Sequence, residues 1–439
     1  MKAVARREQG TFETWEKTSL RLSLANVLRT TETLHAKKSF ENKHRLTTSY
    51  DLWSETENWR RQRFRTHTKN YDCFMTAADL MNMLVDTEQI EPLDEYVTDI
   101  SDPQQLAQED FIDEFKNMLH YQGNYYMLPI YCESTFFMYR KDLYEKYNLQ
   151  EPKTTEDVWH NAKTIQDGEH GKIYGSITRG KSTLADNVYT WTPVLRAFGG
   201  NYFKDFPHDL SVMLDSSEAI ESVRYYADLL QKFGPKNSSE LTWEEMMPIM
   251  WEGKVAQAWE STTVFGGLYK NPNCKHADQW KACDTPVAPG QTAEKTKPGN
   301  LFVCSYAINA DALDRKKKAA FKWIEWATGK KTFRKMAEGA PHLFRASSPR
   351  KSILQLSAYS KENDVWIAPF MRSVEKYGDA NATPKMKEWS DIGGIAGFYL
   401  EQTIAGRISA ENACKRMQEE ITRIIRNSGY PPYGNTRLT

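Results

Sequence analysis

Short β-like runs alternate with amphipathic helices along most of the sequence, and this alternation constrains the fold more than any other feature. Ser19–Ala25 alternates weakly and predicts a first strand, and Glu32–Lys43 predicts the helix that follows it. Tyr71–Met75 is a candidate buried strand that precedes a helical Ala77–Leu84. Strands and helices in this order are typical of α/β domains.

Capping residues mark the later helices. Asp215 and Glu218 resemble a capping box, in which an Asp side chain accepts from the exposed amides of the first turn. Thr154 and Ser409 stand at the start of two further helices, whose apolar faces are predicted to pack in the core. Further β-like pieces lie at Lys172–Thr178, Val255–Trp259 and Phe302–Ile308.

Length and charge narrow the class of protein. A chain of 439 residues is long enough for two or three lobes, each with its own core. The 58 basic and 58 acidic side chains give a net charge of +0, which argues against nucleic acid as the partner. No apolar run reaches about 18 residues, so no membrane-spanning helix is predicted. A basic group between Arg60 and Lys69 is interpreted as a solvated helix face.

Cysteine spacing and aromatic content bear on the kind of site. The six cysteines include no Cys-x-x-Cys pair, which argues against a zinc site. Cys274 and Cys283 share one polar loop and could form a disulfide in an oxidising compartment. Aromatic residues make up 12% of the chain, a surplus that suits a cleft for carbohydrate, whose C–H faces pack on flat rings.

The sequence contains one match to a known nucleotide-binding pattern. Gly175–Ser182 fits the phosphate-binding P-loop, with Lys181 as the counter-charge and Ser182 on magnesium. Its context is poor, because Gly175 lies inside a β-prone run and Pro193 interrupts the helix that should follow. A P-loop nucleotide-binding enzyme therefore stays as an alternative. A carbohydrate-active hydrolase is a second one, and it would need two carboxyl groups at a fixed separation.

A series of short segments carries a family resemblance from about Tyr71 to Tyr430. In chain order they are Leu128–Leu143, Glu151–Thr155, Phe198–Gly200, Leu214–Ala219, Trp251–Thr262, Tyr306–Asn309, Lys318–Ala320, Trp323–Trp326 and Gly406–Ala410. In this order and spacing the chain resembles the family-1 extracellular solute-binding proteins, particularly the maltose-binding-protein-like branch that serves sugar and polyol importers. The first 70 residues lack the apolar first strand and glycine-rich loop that are usual there.

The resemblance implies a fold and a function. The fold is a two-lobed periplasmic-binding-protein fold of type II, an α/β fold whose ligand cleft lies between lobes joined by crossing strands. The first lobe is expected to comprise residues 1–128 plus 309–345, and the second 129–308 plus 346–439. The protein would be the substrate-binding component of an ABC transporter. It would capture a sugar, polyol or oligosaccharide by hinge closure and deliver it to the membrane permease subunits.

Further expectations follow from the same resemblance. The protein would be a monomer without a cofactor, a bound metal or enzymatic activity. It would be periplasmic or extracellular, with or without a lipid anchor. The first 30 residues show no apolar stretch behind a basic start, so we expect that a leader was removed or left out.

Seven residues are candidate solute ligands. They are Asp79, Glu133, Arg179, Trp191, Glu260, Phe302 and Arg350. The two arginines could be fork-shaped donors, and Glu260 follows an apolar strand at a position where strand ends often meet a cleft. The resemblance places Glu133 on the hinge-side wall, and Phe302 is the aromatic residue nearest to Cys304, where the family often has a tryptophan.

Overall fold

The computed structural model describes residues 18–26, 28–54, 57–58, 70–183, 186–341 and 344–436, and the basic group from Arg60 to Lys69 lies outside them. The strands in these ranges are β1 Ser19–Ala25, β2 Thr47–Trp53, β3 Cys73–Ala77, β4 His120–Tyr121, β5 Asn124–Tyr125, β6 Leu128–Glu133, β7 Thr135–Arg140, β8 Phe203–Asp205, β9 Asp209–Val212, β10 Gln257–Ser261, β11 Trp280–Cys283, β12 Gly299–Asn300, β13 Phe302–Ile308 and β14 Gly378–Asp379.

The α-helices in the same ranges are α1 Leu28–His44, α2 Met81–Asp86, α3 Asp94–Asp99, α4 Pro103–Leu106, α5 Asp113–Asn117, α6 Lys141–Lys146, α7 Thr155–Gly168, α8 Asp186–Ala197, α9 Ser217–Phe233, α10 Trp243–Trp251, α11 Thr262–Leu268, α12 Ala293–Thr296, α13 Asp314–Thr328, α14 Lys330–Gly339, α15 Lys351–Leu354, α16 Ser357–Ser360, α17 Ala368–Met371, α18 Trp389–Ile404 and α19 Ala410–Asn427. Across the part of the chain described, no helix combines the length and apolarity needed to cross a bilayer.

A five-stranded sheet forms the first lobe, in the order β2-β1-β3-β13-β6. Strand β1 pairs in parallel with β2 and β3, whereas β13 runs antiparallel to both β3 and β6. Apolar residues of β1, β3, β13 and α13 form the first core, with Leu22, Phe74, Tyr306 and Trp323 at most 1% exposed. The bounds predicted for β1 and β13 are confirmed.

The second lobe is built on an antiparallel three-stranded sheet, in the order β10-β7-β11. One face of this sheet contributes Phe137 and Trp259 to a second core, which α7, α8, α9, α18 and α19 complete. The opposite face places Met138 and Ala258 in the first core. Strands β6 and β13 belong to the five-stranded sheet. The complete assignment of residues to the two lobes stays a prediction.

Three chain segments meet where the two sheets join. Only Ser134 separates β6 of one sheet from β7 of the other, and its hydroxyl donates to the carbonyl of Ser373 at 3.1 Å. The Asn300 amide donates to Oγ1 of Thr135 at 3.0 Å. A Cβ on Gly299 would lie 2.3 Å from the Ser373 carbonyl oxygen, so this close crossing requires glycine. These contacts define the hinge side of the molecule.

Local structure corrects two sequence expectations. Lys172–Thr178 forms only isolated bridges and no strand. The N-cap of α9 is Ser216 rather than Asp215, because Ser216 directly precedes the helix and its hydroxyl accepts from the Ala219 amide at 3.2 Å. The caps predicted at Thr154 and Ser409 are confirmed, and Thr154 forms a capping box with Asp157.

The cysteine thiols are all free and buried, so Cys274 and Cys283 do not form a disulfide in this structure.

Candidate functional site

The segment that matches the P-loop cannot bind a phosphate in this fold, because its backbone amides already have acceptors. The amides of Gly180 and Lys181 both donate to the Leu241 carbonyl, at 2.9 and 3.1 Å. The Ser182 amide and hydroxyl both donate to the Glu401 carboxylate, at 2.8 and 2.7 Å. A P-loop needs these amides turned towards phosphate. The nucleotide-binding alternative is therefore not supported.

Arg179 from the same segment is held between two carboxylates in the second lobe. Its Nε and Nη2 donate to Glu260 at 2.9 and 2.5 Å, and its Nη1 donates to Asp186 at 2.8 Å. Glu260 belongs to β10 and is fully buried, whereas Asp186 begins α8. Oε1 of Glu260 also accepts from the Ser261 amide at 2.6 Å. The guanidinium is thus committed to protein acceptors.

Glu133 lies beside this ion pair, at the end of β6, where the two sheets join. The residue is 8% exposed, and burial raises the pKa of its carboxyl, while Arg179 and Thr263 act in the opposite direction. The hydroxyls of Tyr189 and Thr263 are buried and interact with the Glu133 carboxylate, although neither contact has the geometry of a full hydrogen bond. Thr263 acts to lower the pKa of the Glu133 carboxyl, and Glu133 adds to the effect of burial in raising the pKa of the Tyr189 hydroxyl. Because these contacts are loose, the three groups keep hydrogen-bonding capacity for a bound molecule.

An aromatic wall adjoins these polar groups. The rings of Tyr189 and Phe302 meet edge to face with centroids 6.0 Å apart, and Tyr131 lies 6.3 Å from Phe302. The Arg179 guanidinium carbon lies 4.9 Å from the Tyr189 ring centroid, so the cation also holds this ring. Carboxylate, hydroxyls and rings together match a molecule that has both hydroxyl groups and C–H faces.

Known proteins resemble this chain in sequence and in fold. Residues 37–332 match the family model described as bacterial extracellular solute-binding protein. The chain belongs to this family. A relative described as a mannitol-binding protein, from Pseudomonas aeruginosa, is 24% identical over 342 residues, which are 75% of this chain and 76% of the relative.

Solved structures place the solute-binding protein among the two-lobed type II folds that its sequence predicts. A solute-binding protein of Agrobacterium vitis S4 with bound D-mannitol has a TM-score of 0.81 at 22% identity and covers 94% of this chain and 99% of its own. A maltose-bound protein of T. maritima has a TM-score of 0.78 at 17% identity and covers 92% and 99%. Likeness at this level of identity establishes the fold.

Four of the seven candidate ligands of the solute-binding protein come together, namely Glu133, Arg179, Glu260 and Phe302. Trp191 is instead fully buried, and its Nε1 donates to the Ser222 hydroxyl at 3.2 Å inside the second core. The structure thus gives Trp191 a packing role.

Arg350 is also fully buried and away from this group. Its guanidinium donates to the carbonyls of Thr328 and Leu106, at 2.6 and 2.8 Å, and to the Asp110 carboxylate at 3.3 Å. These acceptors give it a structural role, in which it ties its own segment to those of Leu106 and Thr328. Asp79 lies in the short turn Ala78–Leu80 that follows β3.

Sequence reasoning missed Asp186, Tyr189 and Thr263. Asp186 and Tyr189 are three residues apart in the first turn of α8, and this spacing places both side chains on one face of the helix. The spacing was the available signal, but the ion pair with Arg179 that selects this face depends on the fold.

The charge state of Asp186 gives a testable pH dependence. Burial raises the pKa of Asp186 to about 6, and the attraction of Arg179 offsets this only in part. Because the folded-state pKa lies above the unfolded value, the native state binds the extra proton between about pH 4 and 6. Asp186 therefore contributes stability at low pH that is lost as the pH rises through 6.

We expect wild type to lose stability relative to Asp186→Asn as the pH rises from 4 to 6.5. Thermal midpoints of both proteins across this range measure it. The exposed Asp167→Asn variant on α7 is the control and should show a much smaller trend. A difference for Asp186→Asn that does not depend on pH would contradict the assignment.

Proposed function

We propose that this solute-binding protein captures a neutral polyhydroxylated solute, a sugar or polyol, between its lobes and delivers it to the membrane permease of an ABC importer. The observation that carries the proposal is the group formed by the Glu133 carboxylate and the buried hydroxyls of Tyr189 and Thr263 beside the Phe302 ring. Relatives described as mannitol-binding and maltotriose-binding proteins support it.

The ion pairs favour a neutral solute over an anionic one. Arg179 already donates to Glu260 and Asp186, and its attraction to them raises its pKa although burial would lower it. An incoming anion would have to displace a buried carboxylate and would also meet Glu133. A solute hydroxyl can donate to Glu133 instead, and hydrogen bonds to a charged acceptor are the stronger kind.

The two lobes also touch through a hydrogen bond outside the sheets. Nδ2 of Asn82 in α2 donates to the Lys385 carbonyl at 2.9 Å. Asn82 belongs to the first lobe, whereas the neighbours of Lys385, Met386 and Trp389, lie in the second core. Opening at the Ser134 hinge would break this contact and admit the solute, and closing would shut it in.

No reaction on the solute is proposed. A glycosidase needs one acid that can give up a proton and one free carboxylate. Both oxygens of Glu260 are bonded to Arg179, which leaves this carboxylate unsuited to either task. The proposal further includes action as a monomer in the periplasm or outside the cell, consistent with a family described as extracellular.

A thermal-shift panel tests the proposal. The purified protein is heated with D-mannitol, ribitol, D-tagatose or maltose, and separately with D-gluconate and with magnesium-ATP. A ligand at about 100 times its dissociation constant adds about 2.7 kcal/mol to stability, so one neutral solute should raise the midpoint by several degrees. The anion and the nucleotide should not. A shift with magnesium-ATP alone would overturn the proposal. So would the absence of a shift with every neutral sugar and polyol.

A further inference from the structure

Lys385 lies in a segment that hydrogen bonds connect to the helix of Tyr189, and it takes no part in the groups described so far. It belongs to the segment between β14 and α18. Two residues before it, the Thr383 hydroxyl donates to Oδ1 of Asn300 at 3.0 Å, and Nδ2 of Asn300 donates to the Tyr189 carbonyl at 3.0 Å. These bonds fix the segment against the helix that carries the aromatic wall.

The Lys385 side chain is mostly withdrawn from water, and burial lowers the pKa of its ammonium group to about 8. Asp379 is the charged group that opposes this effect, yet its carboxylate is bonded to Arg196 at 2.9 Å and to the Asn381 amide at 2.8 Å. Among the described residues, the Lys385 ammonium has no hydrogen bond and no ion pair. A partly desolvated cation without an acceptor gains from one, and a solute in the cleft can supply it.

Asn82 presents the complementary group from the other lobe. It is 6% exposed, and while its Nδ2 bonds the Lys385 carbonyl, its Oδ1 is buried and unpaired within the described residues. The two lobes therefore bring an unused donor and an unused acceptor to neighbouring residues. A hydroxyl group is both acceptor and donor, so it can satisfy the two at once.

We propose that Lys385 and Asn82 form a second solute subsite, in which the Lys385 ammonium donates to a solute hydroxyl and Oδ1 of Asn82 accepts from one. The inference rests on the proposed function and adds a cation to the groups that hold a neutral solute. It also couples binding to closure, because each lobe supplies one of the two residues.

Isothermal titration with D-mannitol, ribitol and maltose compares wild type with Lys385→Met and Lys387→Met. Lys387 is exposed and two residues away, so the control removes the same charge from the same segment. Loss of one charge-assisted hydrogen bond should weaken the affinity of Lys385→Met by about tenfold or more, and Lys387→Met should bind as wild type does. The backbone contact with Asn82 survives both changes.

Two further readouts separate binding from folding. Without solute, Lys385→Met should melt at or above the wild-type temperature, since it removes a desolvated charge. Wild-type affinity should fall between pH 7 and 9 as Lys385 deprotonates, and that of Lys385→Met should stay flat. Equal affinity of wild type and Lys385→Met would overturn the subsite alone. Absence of binding by wild type to every sugar and polyol tested would overturn the proposed function and the subsite together.

Discussion

Replacement of Arg179 by methionine is expected to lower the free energy of unfolding by about 3–5 kcal/mol, the usual cost of removing one partner from a buried ion pair. Glu260 is fully buried and takes hydrogen bonds from Arg179 on both oxygens, so the variant would strand a carboxylate away from water. The protein must then unfold more readily or protonate Glu260. Thermal or urea unfolding at pH 7 measures the loss.

A double variant provides the matched control. Arg179→Met combined with Glu260→Gln removes the stranded charge together with its partner and should recover part of the lost stability. The recovery should shrink at acidic pH, where Glu260 in the single variant can take up a proton. An Arg179→Met protein as stable as wild type at pH 7 would show that the ion pair does not support the fold.

Replacement of Glu133 by glutamine should act on binding rather than on folding. Glutamine keeps the shape of the side chain but not its negative charge, so a solute hydroxyl would lose a charged acceptor. We expect affinity for the bound sugar or polyol to fall by about 10- to 100-fold, which corresponds to about 1.4–2.7 kcal/mol. The midpoint without solute should not fall, because burial already raises the pKa of Glu133 and disfavours its charge. Titration calorimetry together with melting separates the two effects.

Glu145→Gln is the control for this substitution. Glu145 is exposed on α6, and its carboxylate pairs with Lys141 at the surface, at 3.5 Å. It should leave both affinity and melting unchanged. If Glu133→Gln binds as tightly as wild type, Glu133 does not contact the solute.

Local pattern was sufficient to predict much of the fold. Weak alternation in Ser19–Ala25 and the β-like run Phe302–Ile308 predicted both strands with their full bounds, because each lies in a sheet with at least one buried face. The same pattern failed for Lys172–Thr178, which touches β10 only at isolated bridges. Pairing with a neighbour is a tertiary property that a β-prone run does not contain.

The site was harder to predict than the fold. Glu133, Arg179 and Glu260 are far apart in the sequence, and family resemblance rather than pattern placed them together. Arg350 was a candidate ligand, but the structure buries it away from the site. An arginine is usually exposed, and this one is buried because backbone carbonyls from distant segments, those of Leu106 and Thr328, converge on it. No sequence pattern records where such carbonyls will lie.

The single residue between β6 and β7 has a mechanical consequence. Ser134 leaves almost no slack between the two sheets, so rotation there carries each sheet along as a rigid body. A lever with such a short pivot converts a small angular change into a displacement that grows with distance from Ser134. Fluorophores attached to the parts of the two lobes farthest from Ser134 would therefore report occupancy of the cleft with the greatest change in signal, which makes them the natural positions for a sensor.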